Sequence, residues 1–323
     1  NQFKKPQAFH ESSISIAAGL GIFFSLAIII FYFFFFEQVI FFEYLSICTL
    51  LFALGFSDDI KINIKPTIRL FLMIIFLIIL VKYNNFYIEY TGIEVLNNWL
   101  KSSKFFSLIF ICLCFLFVIN GANLIDGYNG LLGLHSIIIL SNLFMINYLS
   151  GSFDLANILF FQILILIIFL IFNFPKAKVF LGDGGSYYLG AFIAVSVIKT
   201  SIENPEISPF YFCILLFYLF FEVFFSFFRK LKEKMSPIHP DGKHLHMLIF
   251  KILVKKNNDK QKSNYYVSIL INLIYLVMII PAILMMANGL FCKYYSVVFF
   301  ITYLLLYKIA SEKVDQKNND RIN

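Results

Sequence analysis

Ten long apolar runs constrain this chain more than any other feature of its sequence. They lie at roughly residues 15–36, 38–56, 66–82, 104–119, 131–149, 155–174, 187–200, 207–228, 265–288 and 290–308. A helix needs ~20 predominantly apolar residues to cross the hydrocarbon of a bilayer, and most of the runs come near that length. The run at 187–200 is the shortest. The alternation expected of a barrel strand is absent, which leaves helices as the spanning element. Only 14% of the 323 residues are charged and 60% are apolar, whereas a soluble domain averages about 25% charged residues. The sequence therefore predicts an all-α polytopic helix bundle, a single integral membrane domain over residues 1–323. Its largest soluble part is the basic loop 229–264. Cys48, Cys112, Cys114, Cys213 and Cys292 lie in or beside the apolar runs and form no CxxC pair, which argues against a disulfide framework or a zinc site.

Loop charge sets the orientation of such a bundle. With the N-terminus inside, 21 of the 26 Lys and Arg residues fall on the cytoplasmic side and 5 on the other. The C-terminus is then also inside. The net charge of +7 becomes a cytoplasmic surface facing anionic lipid head groups and anionic substrates, with no nucleic-acid partner expected.

Four loops hold most of the unusual polar residues, and under this orientation all four face the cytoplasm. The first carries Asp58 and Asp59. Adjacent residues point in different directions, so one carboxylate can face a metal or a proton while its neighbour takes a Lys or backbone partner. The second runs from Asn120 through Asn123, Asp126 and Asn129 to Gly130. Its amides can donate and accept together, as a nucleobase or sugar edge requires, and its glycines permit close ligand approach. The third is Phe180–Ser186, with Asp183 inside the run Gly182-Asp183-Gly184-Gly185. A Gly-rich loop at a helix start can cradle phosphate, with Ser186 as N-cap and Asp183 holding Mg²⁺ against it. The fourth carries His239, Lys243, His244 and His246, read as donors to a diphosphate. Its oxygen-rich surroundings suit Mg²⁺ better than zinc.

In this order, these motifs resemble those of the polyprenyl-phosphate N-acetylhexosamine-1-phosphate transferases, glycosyltransferase family 4. The resemblance runs from about Phe9 to Lys251. The loop from His239 to His246 is similar to the WecA-like branch rather than the muramoyl-pentapeptide branch. The resemblance implies catalytic roles for Asp58, Asp59, Asp126 and Asp183, and Mg²⁺ (or Mn²⁺) on Asp183, with Asn123 beside it. It also implies that Phe180 stacks on uracil and that Asn173 lies near the base, with Asn120, Asn123 and Asn129 also binding substrate. The substrates would be a UDP-N-acetylhexosamine and a polyprenyl phosphate such as undecaprenyl phosphate. The setting would be a bacterial inner membrane, and a homodimer is compatible with the family. The chain departs from the family pattern in carrying Asn129 where Asp is common. Members usually have one more span before Ser15–Gly19, so an eleventh span is expected upstream.

On this reading the lipid phosphate attacks the β-phosphorus of the UDP-sugar directly and UMP leaves. Asp58 orients the phosphate, and Asp59 points elsewhere to hold a basic partner. A multi-span transporter is the competing class. It would place ionisable groups near the midplane, and only Glu43 and Glu222 lie well inside a run.

Overall fold

The computed structural model describes residues 15–62, 64–236 and 241–319, with side chains described to residue 315. In a bilayer every backbone N–H and C=O must be satisfied within the protein, and these residues fold almost entirely into helices, thirteen of them among the described residues. They are α1 (Ala18–Tyr32, continued by a π-helical turn Phe33–Glu37), α2 (Phe42–Asp59), α3 (Pro66–Tyr83), the short α4 (Glu94–Ser102) and α5 (Lys104–Ile125). There follow α6 (Leu131–Ser150), α7 (Phe153–Asn173), α8 (Gly182–Glu203), α9 (Pro209–Leu215) and α10 (Phe217–Lys232). The last three are α11 (Leu245–Asn257), α12 (Lys260–Leu284) and α13 (Gly289–Asn319).

Among the described residues eight helices are long and apolar enough to span a membrane, and nine if the bent pair α9–α10 is one span. The sequence count of ten thus exceeds this by one. The missing member is α2, which has span length but carries Glu43, Asp58 and Asp59 within eighteen residues. Each of these carboxylates is used. Glu43 forms an ion pair with Lys199 of α8 at one end of the bundle, and the two aspartates reach the start of α8 at the other.

The shortest run in the sequence proves to be the centre of the bundle. Helix α8 is buried on nearly every face from Gly184 to Ile198 and packs against α1, α2, α5 and α6. Its modest hydropathy follows from this position. A helix covered by protein rather than lipid is rich in Gly, Ala and Ser, which let neighbouring backbones approach. At Gly190 a Cβ would stand 2.7 Å from the Cα of Ile119 in α5, and at Gly55 of α2 a Cβ would stand 2.3 Å from the carbonyl oxygen of Asp183. These crossings bring the ends of α2 and α5 onto the N-terminus of α8.

The run 207–228 breaks into α9 and α10, bent by 75°. No Gly or Pro marks the break at Leu216. The Tyr275 hydroxyl of α12 donates to the freed Leu215 carbonyl, which removes the penalty of an unpaired backbone group. The basic stretch 229–264 is also largely helical. It holds the end of α10, all of α11 and the start of α12, with the apolar side of α11 (Leu245, Met247, Leu248 and Phe250) buried.

Candidate active site

The C-terminal ends of α2, α5, α7 and α10 and the N-terminal ends of α6, α8 and α11 meet at one end of the bundle. The contacts that join them run through the motif residues. Asp59, the last residue of α2, accepts the backbone N–H groups of Asp183 and Gly184 on its two oxygens, each at 2.9 Å. It caps α8 from outside, where a carboxylate meets the positive end of the helix dipole. Gly182, at φ +72°, turns the chain into that helix, and a Cβ there would lie 2.6 Å from Asp59 Oδ2. Two sequence expectations are corrected here. Ser186 is not the N-cap, since its hydroxyl lies inside the first turn and donates to the Asp183 carbonyl at 3.2 Å. The helix start also does not offer its first amides to a phosphate, because Asp59 already occupies two of them.

Asp58 turns the other way. Its Oδ2 lies 2.9 Å from Nη1 of Arg69 in α3, and the same nitrogen donates to Asp183 Oδ2 at 2.9 Å. It is therefore Asp58 that holds the basic partner and Asp59 that holds backbone, the reverse of the expected division. The other oxygen of Asp183 accepts from Asn123 Nδ2 at 2.9 Å, and that nitrogen also donates to Ser186 Oγ at 2.9 Å. Arg69 is the site residue that the sequence reading missed. Its signal was a basic side chain inside an apolar run, one turn beyond Lys65-Pro66.

Asp126 follows α5 and sits near Asp183 and Asp59. Burial, then the charges of those two aspartates, pushes its carboxyl well above the usual carboxylate range. Among the described residues no hydrogen-bond donor or cation is set against it. A desolvated carboxylate of this kind is stabilised by a cation. The surrounding donors are oxygens of Asp126, Asp183 and Asn123, which suits a hard dication. Among the described residues no three His, Cys, Asp or Glu side chains could enclose a metal by themselves. Mg²⁺ commonly needs only one or two carboxylates, with water and phosphate completing its shell, so these residues fit it.

The remaining candidates divide between site and scaffold. Both functions of the Asn173 amide are taken by protein, as it accepts from Gly130 N–H at 2.6 Å and donates to the Val179 carbonyl at 2.8 Å. Asn173 thereby ties the loop 126–130 to the loop 174–181. Asn129 is buried; it donates to the Pro175 carbonyl at 2.8 Å, and its backbone N–H donates to Asn264 at 2.8 Å. Asn120 donates back along α5 to the Leu116 carbonyl at 2.7 Å. Phe180 is half-buried, and its backbone pairs with Ser15 and Ala18.

In the fourth loop His239 lies outside the described residues. Lys243 is exposed and bound to the carboxylate of Glu233 at 2.9 and 3.0 Å. His244 and His246 are 3% and 0% exposed and stack with ring centroids 5.6 Å apart. The anchor is Glu222 of α10, 1% exposed. It accepts the Leu245 N–H at 3.1 Å and His244 Nδ1 at 3.0 Å. His244 Nε2 faces Asp241 Oδ1 at 3.5 Å, so both ring nitrogens of His244 are turned to carboxylates. This contradicts its reading as an open diphosphate donor. His246 pairs with the Tyr218 hydroxyl at 3.2 Å, and burial holds its imidazole down to about 4. Among the described residues its buried Nε2 has no hydrogen-bond partner. Its ring meets that of Tyr128 at 5.5 Å, which joins the fourth loop to the Asp126 loop.

Comparison with known proteins gives this constellation a family. The family described as glycosyl transferase family 4 matches residues 41–201, the segment that contains Asp58, Asp59, Asp126 and Asp183. The chain belongs to glycosyl transferase family 4. Among its relatives in that family is the undecaprenyl-phosphate alpha-N-acetylglucosaminyl 1-phosphate transferase of Thermotoga maritima. It is 36% identical over 43% of this chain and 41% of its own length. The protein of the same name from Yersinia pestis is 27% identical over 75% of this chain and 67% of its own. The phospho-N-acetylmuramoyl-pentapeptide-transferase of Dictyoglomus turgidum is 34% identical over 60% and 65%. The chain thus spans about two thirds or less of the length of these family 4 relatives.

The cap at Asp59 gives a direct test within this family 4 site. Asp59→Ala removes both acceptors from the start of α8 and is expected to lower stability by about 1–2 kcal/mol. Denaturation of the purified chain in detergent measures this. An unchanged midpoint would show that water replaces the cap without loss.

Proposed function

We propose that this chain transfers an N-acetylhexosamine 1-phosphate from a UDP-sugar to a polyprenyl phosphate, releasing UMP on the cytoplasmic side of a bacterial inner membrane. The observation that carries the reading is that Asp126, with no donor or cation set against it among the described residues, lies near Asp183 at the start of the central helix, with Arg69 between Asp183 and Asp58. Phosphoryl transfer between two anions is mainly a problem of charge neutralisation, and this site holds the groups for it. The names of the relatives point to undecaprenyl phosphate and an N-acetylglucosaminyl 1-phosphate donor. The branch follows from the loop at His239–His246.

Asp183 and Asp126, with Asn123 beside them, would hold Mg²⁺. When bound, the ion neutralises the diphosphate and polarises its phosphoryl oxygens. The chain's own groups do the rest. Asn123 orients Asp183. Arg69 fixes Asp58, whose carboxylate orients the incoming lipid phosphate. His246, its ring against that of Tyr128, closes the site from α11. Asp58 and Asp59 are both held, one by a guanidinium and one by two amides, which favours direct attack by the lipid phosphate over a covalent enzyme intermediate. A transporter reading loses support because Glu43 and Glu222 are both paired inside the protein.

Two measurements test this. Enzyme given UDP-GlcNAc and Mg²⁺ without lipid is expected to show no stoichiometric burst of UMP. A burst of one per enzyme, with sugar phosphate retained on the protein, establishes a two-step route instead. For orientation, cysteines placed at the exposed positions Lys178 and Lys243 of a chain lacking its native cysteines should react with an impermeant maleimide only after permeabilisation. A cysteine at Lys293, at the opposite end, should react in intact cells. Labelling of position 178 or 243 in intact cells would invert the topology.

A further inference from the structure

Both oxygens of Asp183 already hold a protein partner. One oxygen accepts from Asn123 and the other from Arg69, both at 2.9 Å. Arg69 uses a single nitrogen, Nη1, for two carboxylates, Asp58 Oδ2 and Asp183 Oδ2, each at 2.9 Å. An Nη1 carries two hydrogens, one for each acceptor. The guanidinium is also held over the Tyr187 ring, 5.6 Å from its centroid, so it is fixed by contacts that do not involve Asp183. Each oxygen keeps a further lone pair, but a dication bound to Oδ2 must share that oxygen with the guanidinium and sit against a like charge.

We propose that Arg69 is a stand-in cation. It satisfies Asp183 while no metal is bound and yields that carboxylate to Mg²⁺, while Asp58 and the Tyr187 ring keep it in place. The proposal rests on the reading of Asp183 as the metal ligand. Without such a group, Asp183 would lie half-buried near three further aspartates with no counter-charge, a costly arrangement. With it, part of the apo site's negative charge is offset, and metal entry frees one N–H of Nη1 at the position where an anionic substrate arrives. Arg69 is thus a positioning residue that sets metal affinity, and it becomes an anion donor once the metal is in place.

The test is binding of Mn²⁺ alone, without nucleotide or lipid, followed by EPR on the purified full chain in detergent. Arg69→Gln is expected to bind Mn²⁺ more tightly than wild type by about tenfold or more, equivalent to ~1.4 kcal/mol. Its melting midpoint should also rise more on adding Mn²⁺. Arg69→Lys, which keeps the charge but lacks the planar guanidinium held over Tyr187, should fall between the two. Lys65→Gln removes the same charge from an exposed position one turn away and should stay within about twofold of wild type. Equal or weaker Mn²⁺ binding by Arg69→Gln overturns the proposal and leaves the metal reading standing. A Lys65→Gln shift as large as that of Arg69→Gln also overturns it, since contact would then not matter. If Arg69→Gln does not fold, Arg69→Lys decides: tighter binding than wild type supports the exchange, and unchanged binding refutes it. Absence of saturable Mn²⁺ binding in all four proteins overturns both the exchange and the metal reading.

Discussion

Asp183→Asn is expected to abolish UMP release, with a fall in kcat of at least about 10³-fold, the scale seen when a charge-stabilising group is removed from a transition state. A neutral amide is a poor ligand for a hard dication. The substitution also leaves Arg69 with Asp58 alone and changes the acceptor used by Asn123. The fold should survive it. The cap of α8 is made by the backbone N–H of residue 183 with Asp59, which the substitution does not touch. Steady-state UMP release and the melting midpoint separate the two effects. Retention of more than about a tenth of the activity, a barrier rise below ~1.4 kcal/mol, would assign Asp183 a structural role.

His244→Ala is expected to give the largest loss of stability, about 3–5 kcal/mol, the scale for stripping a partner from a buried carboxylate. Glu222 is 1% exposed and would keep the Leu245 N–H, losing its imidazole donor. The double variant Glu222→Leu/His244→Ala should recover part of the loss, because no charge is then left buried alone. Thermal unfolding of the three proteins measures this. A His244→Ala variant of unchanged stability with only a raised KM for UDP-sugar would restore the sequence expectation, which placed this histidine on an open loop.

That difference shows where the sequence was legible. Apolar run length sufficed to find the long helices, and clustering of Asp, Asn, Gly and His in four short stretches sufficed to find the end of the bundle where they meet. The division of labour among the residues was not legible, since it depends on which helices touch. Asp58 and Asp59 are chemically alike and differ only because one faces α3 and the other faces α8. Asn173 reads as a ligand group in the sequence, but its amide is spent on Gly130 and Val179. Arg69 reads as one more cytoplasmic charge until α3 sets it beside Asp183. The centrality of α8 was hidden for a related reason. Hydropathy scores exposure to lipid, and this helix owes its small, hydroxyl-bearing residues to being covered by four others. The break between α9 and α10 has no marker at Leu216. Its stabilising contact, the Tyr275 hydroxyl, comes from about sixty residues further along the chain.

The central claim is that the site around Asp126 and Asp183 moves a sugar phosphate onto a lipid phosphate. The most direct test supplies the purified chain with polyprenyl phosphate, Mg²⁺ and, in turn, each of a panel of UDP-N-acetylhexosamines, and measures UMP together with lipid-linked sugar diphosphate. At least one donor should yield both products in equal amounts. The yield should depend on lipid, be lost with EDTA and be absent in Asp183→Asn. Release of UMP no greater than that of Asp183→Asn with every donor, from protein that is folded and metal-loaded, would contradict the account.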